Sequence, residues 1–579
     1  MKTRNPKRID IEAEELEAAL ERGRSAPLSD EDYHRLRAAL STLIFLSQQI
    51  ANARTTIRKL RKILFGSKSE KSAQVLAGQN PSENESEQAG SSSEPDSDPD
   101  SKTPSASAEG ESAKDRGEDG KREDGGDAGK GRGGHGRNGA AKYVGAEVIN
   151  VSHESLRHGD PCPVPPCSGR VYEQATPAVL VNVLGAAPLS ARVIWRERLR
   201  CNLCLAVFTA KLPAGVRREK YAPSAIAMMA ILRYGSGLPL YRLAVLQKSL
   251  GIPLSASTQW HVVSKAAPRF APVYAELVRQ AAQGGVIHND DTTMRVLELL
   301  KENRKRRELG ETATRTGIFT SGIVSVREGV RIALFFTGRE HAGENLEKVL
   351  RERSGELSAP IQMCDALSSN VSGDFETIVA NCLVHARRNY VEVLEDFPEE
   401  CGFVIETLRG VFHNEARARR DGLGPQARLE LHRRESFRPM ATLRHWMREQ
   451  IAKRRVEPNS GLGKAIKYMR KYWRKLTRFL FIPGAPLENN VVERALKRAI
   501  CHRKNSLFYK TRNGALVGDL YMSLIATSEL AGANPFEYLG AVHSHEKDVA
   551  ERPAEWLPWN YRKRLEALAT KVGRPAAPG

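Results

Sequence analysis

From Leu36 onward, apolar side chains recur every seven residues at Leu36, Leu43, Ile50, Ile57 and Leu64, and Ala39, Leu46, Ala53 and Leu60 fill a second apolar position of each heptad. A repeat kept up over this length predicts a coiled coil through which two copies would associate. Ser29, with Asp32 three residues on, predicts the helix start. Ile44 and Phe45 add apolar surface beside the seam, which leaves open an amphipathic helix packed on its own chain. The periodicity ends near residue 66. Residues 67–142 are dominated by Ser, Glu, Asp and Gly, cannot offset their ordering entropy by burial, and predict a disordered linker. Its end, Lys130-Gly-Arg-Gly-Gly-His-Gly-Arg, suits either a phosphate track or a plain tether.

Folded segments follow. Leu240 to Val263 reads as helix, turn at Gly251, then a second helix capped by Ser255 or Ser257. This helix-turn-helix pattern would offer Gln259 and His261 to DNA, although two packed helices without DNA contact fit equally. Val286-Ile-His-Asn predicts a strand leading to Asp290, Thr316–Val326 and Val330–Thr337 a hairpin turning at Arg327-Glu-Gly, Ala342–Arg353 a helix, and Ile361-Gln-Met-Cys a strand leading to Asp365. Residues 396–480 are mainly helical and interrupt this α/β pattern. A helix from Asn490 to Ile500 resumes it, with Val492, Ala495, Leu496 and Ala499 as its apolar stripe. The expected organisation is a tail (1–28), coiled coil (29–66), linker (67–142), cysteine-bearing module (143–215), helical segment (216–279), α/β core (280–395 and 481–535) split by a helical insertion (396–480), and a C-terminal segment (536–579).

Composition adds a partner. The 579 residues carry a formal net charge of +20, while residues 81–130 alone hold 15 acidic against 6 basic side chains. The rest of the chain is therefore more basic than the total shows, which favours a polyanion and salt-dependent binding. The basic N-terminus is followed by an acidic stretch where a secretory signal needs an apolar one, and the apolar run Ala222–Leu232 is too short to cross a bilayer. A cytoplasmic protein without membrane contact is expected, with its eight cysteines as thiols or metal ligands.

Two cysteine pairs, Cys162-x4-Cys167 and Cys201-x2-Cys204, flank a strand-like run, Ala178-Val-Leu-Val-Asn-Val-Leu. Four thiolates from two knuckles match the closed tetrahedral shell of structural Zn2+ and predict a zinc ribbon. His153 or His158 offers an alternative ligand. Arg192, Arg196, Arg198 and Arg200 would let the ribbon touch DNA, but a purely structural ribbon fits too.

The strongest chemical signal is acidic. Asp290 and Asp365 close short apolar strands, and Glu493 sits on a helix one turn after Asn489 and one before Lys497. Carboxylates so placed can hold two divalent ions about 3.5–4 Å apart that stabilise the attacking and leaving oxygens of a phosphoryl transfer. Mg2+ suits an all-oxygen site, with Mn2+ as a substitute. Asn489 and Asn490 could hold water or phosphate there, and Arg494, Lys497, Arg503 and Lys504 could neutralise the DNA backbone. Arg387 and Arg388 are further phosphate candidates. The run from Lys464 to Phe479 interleaves basic residues, Lys471 and Arg474 among them, with Tyr468, Tyr472 and Trp473, which could stack on bases or enter a core. Asp291 competes with Asp290, but strand alternation points the two apart; Glu488 is expected to cap the helix that carries Glu493.

Asp290-Asp-Thr-Thr, Asp365, Cys382-Leu-Val-His-Ala-Arg-Arg-Asn, Glu488-Asn-Asn-Val-Val-Glu-Arg-Ala and Arg503-Lys-Asn-Ser-Leu-Phe together resemble the core of an IS66-family transposase. Arg61-Lys-Ile-Leu-Phe-Gly-Ser-Lys-Ser-Glu-Lys and Leu557-Pro-Trp-Asn-Tyr resemble further family segments. One departure is Asp291, where the family usually has glutamate. The resemblance implies a DDE transposase with an RNase H-like core, with Asp290, Asp365 and Glu493 as catalytic metal ligands and with the element ends and target DNA as substrates. It also implies a bacterial host and accessory proteins from the same element. A non-catalytic zinc-ribbon regulator and a metal-dependent nuclease without joining activity are the rival readings.

Overall fold

The computed structural model describes residues 13–25, 27, 29–40, 155–164, 166–172, 187–200, 207–213, 219–310 and 315–571. The chain divides into two units, Asn84–Ala186 and the remainder. Part of the expected tail is helical, as α1 (Ala13–Ser25). A second helix starts at Asp30, and Ser29 Oγ accepts the Asp32 N–H at 3.1 Å, the cap the sequence called for. Arg22 reaches across from α1 to Asp32 at 2.7 Å. Most of the heptad repeat (41–66) and the linker (67–142) lie outside the described residues.

In the larger unit, a short antiparallel hairpin pairs β1 (Arg198–Arg200) with β2 (Val207–Thr209). The central sheet is mixed. Strands β3 (Val286–Thr293), β4 (Phe319–Arg327), β5 (Val330–Gly338), β6 (Ile361–Cys364) and β7 (Ile378–Asn381) lie in the order β5-β4-β3-β6-β7. The first three are antiparallel, and β3–β6 and β6–β7 are parallel. The hairpin turns at Glu328 (φ 49°) and Gly329 (φ 86°), and two successive positive φ values match the right-handed twist of the flanking strands.

Strand β5 is an edge, and its outward N–H groups are taken up by a helix. From α15 (Arg512–Leu530), Thr527 Oγ1 accepts from Ala333 N at 3.1 Å, Ser523 Oγ from Phe335 N at 3.0 Å and Asp519 Oδ2 from Thr337 N at 2.6 Å. Every second residue of a strand advances about 6.7 Å and every fourth of a helix about 6 Å, so the polar ladder 519–523–527 matches the strand's free donors. The edge is thereby closed to a further strand.

The other helices are α2 (Pro223–Ala230), α3 (Leu240–Ser249), α4 (Ala256–Ala266), α5 (Ala271–Ala282), α6 (Leu297–Glu308), α7 (Ala342–Leu350), α8 (Leu383–Val391), α9 (Pro398–Arg420), α10 (Pro425–Glu435), α11 (Phe437–Ala452), α12 (Gly461–Lys471), α13 (Trp473–Leu476), α14 (Asn490–Ser506), α16 (Pro535–Ser544), α17 (Glu546–Glu551) and α18 (Tyr561–Lys571). Helix α6 was not legible in the sequence, because Leu297-Glu-Leu-Leu-Lys-Glu-Asn-Arg-Lys-Arg-Arg-Glu carries little apolar stripe. The helical insertion encloses a second core of its own with β6, β7 and α8, in which Val404, Leu408, Leu443, Met447, Ile466 and Met469 are buried. Among its helices Glu415 is buried with His432 Nε2 at 3.1 Å, Arg428 at 2.8 Å and Arg419 at 2.8 Å. Burial alone would raise this carboxyl, yet His432 and the two arginines hold it below its ordinary value. Arg419 also pairs with Glu488 at 3.0 Å, which pins the insertion two residues ahead of α14.

Candidate active site

The parallel pairing of β3 with β6 ends at His288 beside Met363, and Asp290 and Asp365 each stand two residues further on. Register thus brings the two carboxylates level at the carboxyl ends of neighbouring strands, where an α/β sheet opens its crevice. One amide nitrogen touches both: Asn370 Nδ2 donates to Asp365 Oδ1 at 2.7 Å and to Asp290 Oδ1 at 3.4 Å. Asn370 is itself fastened beneath, its carbonyl accepting from Asn289 Nδ2 at 2.6 Å and Gln362 Nε2 at 2.7 Å. Gln362 in turn bonds Asn289 Oδ1 and Thr377 Oγ1. These bonds fasten a polar floor under the two carboxylates, although Asn370 Oδ1 is buried without a hydrogen-bond partner. Sequence reasoning missed Asn370; the Ser-Ser-Asn run following Asp365 was its only trace.

Helix α14 crosses β3 and β4 to bring in Glu493. Gly322, the register partner of Asp290, makes the approach possible: a Cβ there would lie 2.8 Å from Leu496 Cγ and 3.1 Å from Val492 Cγ2. Gly322→Ala is accordingly expected to cost about 1–3 kcal/mol by overpacking and to depress catalysis beyond that loss by shifting Glu493. Chemical denaturation together with turnover of the still-folded fraction checks both.

The start of α14 is anchored by Asn489, which is fully buried. Its Nδ2 donates to the Asn289 carbonyl at 3.1 Å and its Oδ1 lies 3.0 Å from His288 Nδ1. Burial pushes His288 down to about 4, so the ring is neutral at ordinary pH and Nδ1–H donates to the amide oxygen.

Burial pushes the Asp290 carboxyl up to about 7, and the charges of Asp365, Glu493 and Asp291 act in the same sense, against a hydrogen bond from Asp291 N. The acidic groups therefore sense one another across a partly dehydrated cleft. Among the described residues, the three ligand atoms lying within 4.8 Å of one another are those of Cys382, His385 and Glu493. His385 Nε2 is 3.4 Å from Glu493 Oε1. Cys382 is buried, accepts the Asn489 N–H at 3.3 Å, and burial raises its thiol to about 11, the behaviour of a packed core thiol.

Several expectations need correction. The amide of Asn489 is spent inside the fold and does not reach DNA. Arg387 is 5% exposed and offers no open guanidinium to phosphate. Gln259 is buried, donating to the Leu240 and Leu254 carbonyls at 3.1 Å, because its place in α4 faces α3 instead of solvent. Trp473 sinks into the second core, and Tyr468 and Tyr472 pack against it. Glu488 does not cap α14; it accepts from Asn490 Nδ2 at 2.6 Å and pairs with Arg419. Asp291 points away from the cleft, as alternation requires, and accepts from Ser321 Oγ at 2.6 Å and from Ala342 N at 3.0 Å, where α7 begins.

Arg494, Lys497, Lys504, Lys471, Arg474 and His261 are exposed, and Asn490, Arg388 and Arg503 are partly so. Arg503 donates to Thr292 Oγ1 at 3.0 Å and Thr293 Oγ1 at 2.6 Å. Lys464, Lys467, Lys471 and Arg474 share one exposed face of α12 and α13. Burial raises Tyr468 on α12 to about 12, and the charge of Asp365 acts in the same sense. In the smaller unit, Cys162 N donates to the Gly169 carbonyl at 2.8 Å, Cys167 N to the Val164 carbonyl at 2.8 Å and Gly169 N to Cys167 Sγ at 3.4 Å, a tight turn with an outward sulfur. Cys201 and Cys204 lie outside the described residues.

Fold and carboxylates define an α/β protein with an acidic cluster at the carboxyl ends of two parallel strands, packed beneath the helix of Glu493. Residues 218–516 match the sequence model of the family described as "Transposase IS66 family". The chain belongs to the IS66 transposase family. It is also similar to three proteins of Sinorhizobium fredii. It is 26% identical to uncharacterized protein y4jD over 438 residues, 71% of this chain and 79% of that one. With uncharacterized protein y4hP it shares 24% identity over 64% of this chain and 68% of the relative, and with uncharacterized protein y4qI 23% over 58% and 62%. A transposase role, with DNA as partner and divalent metal use, follows from the family. No helix among the described residues is long and apolar enough to cross a membrane.

Proposed function

We propose that the chain is a DDE transposase that cleaves the ends of an insertion sequence and joins them to target DNA. The observation that carries this reading is the placement of Asp290 and Asp365 level on adjacent parallel strands, with the helix of Glu493 packed on β3, which carries Asp290, and on β4. A strand order of three antiparallel strands followed by two parallel ones supports an RNase H-like core. The acidic residues fit a divalent cation: Asp290 is held up near 7 by burial and by its acidic neighbours Asp365, Glu493 and Asp291. Mg2+ or Mn2+ bound by Asp290, Asp365 and Glu493 would stabilise the attacking and leaving oxygens of an in-line phosphoryl transfer.

What the chain itself contributes is position and charge. Asn370 and its amide floor hold two of the carboxylates, Gly322 admits the third, and His385 Nε2 lies 3.4 Å from it. Arg494, Lys497 and Lys504 on α14, with Lys471 and Arg474 on the insertion, would neutralise the DNA backbone on either side of the cleft. The Cys162–Cys167 turn has the form of a zinc knuckle, and structural Zn2+ is part of the proposal. Self-association through the heptad repeat would let two subunits address two ends, accessory proteins of the same element would assist, and the reaction would take place in the bacterial cytoplasm.

The test uses element-end DNA with a free 3′ hydroxyl, a supercoiled target and Mg2+. Covalently joined end–target products are expected. Hydrolysis products alone would indicate a nuclease, and binding without any chemistry, with accessory proteins supplied, would indicate a regulator.

A further inference from the structure

Helix α14 ends in an unusual way. At Leu507 the backbone takes φ 67° and ψ −42°, and the Phe508 N–H donates to the Ser506 carbonyl at 2.8 Å. This is a γ-turn with positive φ at its centre, the rare and strained form. A bulky L-residue is poorly suited to it, and no packing compensates, since Leu507 is 58% and Phe508 38% exposed. Strain of this kind persists only where surrounding structure enforces it, and it points to a role.

The surrounding structure does enforce it. Before the turn, Arg503 grips Thr292 and Thr293 at the end of β3, the strand that carries Asp290. After it, Tyr509 is buried, donates its N–H to the Arg295 carbonyl at 2.8 Å and accepts from Leu297 N at 2.9 Å. Two apolar side chains are thus held out into solvent on a mount fixed to the acidic cleft. No acidic residue occurs from Arg494 to Arg512. Arg494, Lys497, Lys504 and Lys510 are all exposed there. An apolar tip in a cationic surround suits a polyanion with an apolar interior, namely duplex DNA, better than the acidic rim of a protein.

We infer that Leu507 and Phe508 form a wedge that enters the base stack of the substrate duplex near the cleavage site, as apolar side chains do when they unstack a base step. The inference rests on the proposed transposase function and deepens it by assigning the opening of the DNA end to these two residues. At about 1.5 Å per helical residue Leu507 lies about 20 Å along α14 from Glu493, so a duplex following the helix would be opened about six base pairs from the scissile phosphate.

The experiment places 2-aminopurine at successive positions of an element-end duplex and reads fluorescence on binding the full chain. Wild type should brighten the probe at one step. A Leu507→Gly, Phe508→Ala double variant should lose that signal, bind within about threefold of wild type because the phosphate contacts remain, and nick the paired end at least about tenfold more slowly. A mismatch at the same step should restore nicking, because the unstacking is then already done. Leu507→Gly alone should keep or raise Tm, since glycine accepts the backbone conformation; a merely structural leucine would lower it. Wild-type nicking without probe signal, or a variant that the mismatch does not rescue, would overturn the wedge alone. Slower sedimentation of the variant than of wild type would overturn it in favour of an interface between copies. A wild-type protein that neither binds nor nicks the ends would overturn the transposase reading, and the wedge with it.

Discussion

Glu493→Gln should lower nicking and joining by about a thousandfold or more, about 4 kcal/mol of transition-state stabilisation, while binding of end DNA stays within about threefold. The substitution keeps side-chain volume and removes only charge. Helix α14 holds its place through Val492, Leu496 and Ala499, which are buried, and through Asn489, so the loss would be chemical rather than structural. Glu488→Gln is the matched control, five residues away on the same segment. Its carboxylate is engaged by Arg419 and Asn490, and its loss should loosen the insertion with little effect on chemistry. Labelled end DNA scored separately for binding, nicking and joining distinguishes the two. An active Glu493→Gln protein beside an inactive Glu488→Gln protein would move the third carboxylate to Glu488.

The second large effect is on stability. Protonated Asp290 should contribute stability to the metal-free protein that is lost as pH rises from about 4 to about 7, opposed below about pH 6.5 by His288 and His502, which burial holds down to about 4 and about 3, and Mg2+ should return much of the Asp290 loss. Asp290 sits near 7 in the folded chain against an ordinary 3.8, chiefly because it is buried. Between those values the folded state binds the proton and the unfolded state does not, so raising the pH favours unfolding. A shift of this size corresponds to at most about 4 kcal/mol once both states are ionised. A bound cation favours the ionised form and reverses the sign of the local field. Asp519, pushed up to about 7 by burial against its bonds from Thr337, contributes a slope of its own that Mg2+ would not touch. Asp290→Asn should therefore stabilise the metal-free protein above pH 7, flatten part of the pH profile and lose most of the Mg2+ response. Melting curves in EDTA and in Mg2+ at several pH values measure this, and identical Mg2+ responses in wild type and variant would remove Asp290 from the metal site.

Much of the site was legible because local pattern carries it. The apolar runs before Asp290 and Asp365 had to be strands, and the stripe Val492, Leu496, Ala499 had to be a packed helix that leaves Glu493 on another face. Alternation set Asp290 and Asp291 on opposite faces and the family resemblance favoured Asp290 as the ligand; Asp290 shares Asn370 with Asp365, while Asp291 accepts from Ser321 and from the start of α7. What failed were assignments by residue type. Asn489, Gln259 and Arg387 have side chains suited to DNA, yet each is buried, and whether a polar group faces water or a neighbouring carbonyl depends on what packs over it. For Trp473 stacking on bases and burial were both open, and it enters the core of the insertion.

The sequence by itself determined the elements, the acidic residues offered at their ends and the excess of positive charge, because periods of two and 3.6 residues, capping and charge act within a few positions of the chain. Only the tertiary structure decided that the parallel register sets Asp290 level with Asp365, that Asn370 lies under both, that Gly322 lets α14 descend onto the sheet, and that Leu507 is held out under strain beside the cleft. Each of these joins residues far apart in sequence through a register, a close approach or a shared hydrogen bond, and such couplings arise only when the sheet, the insertion and α14 pack together.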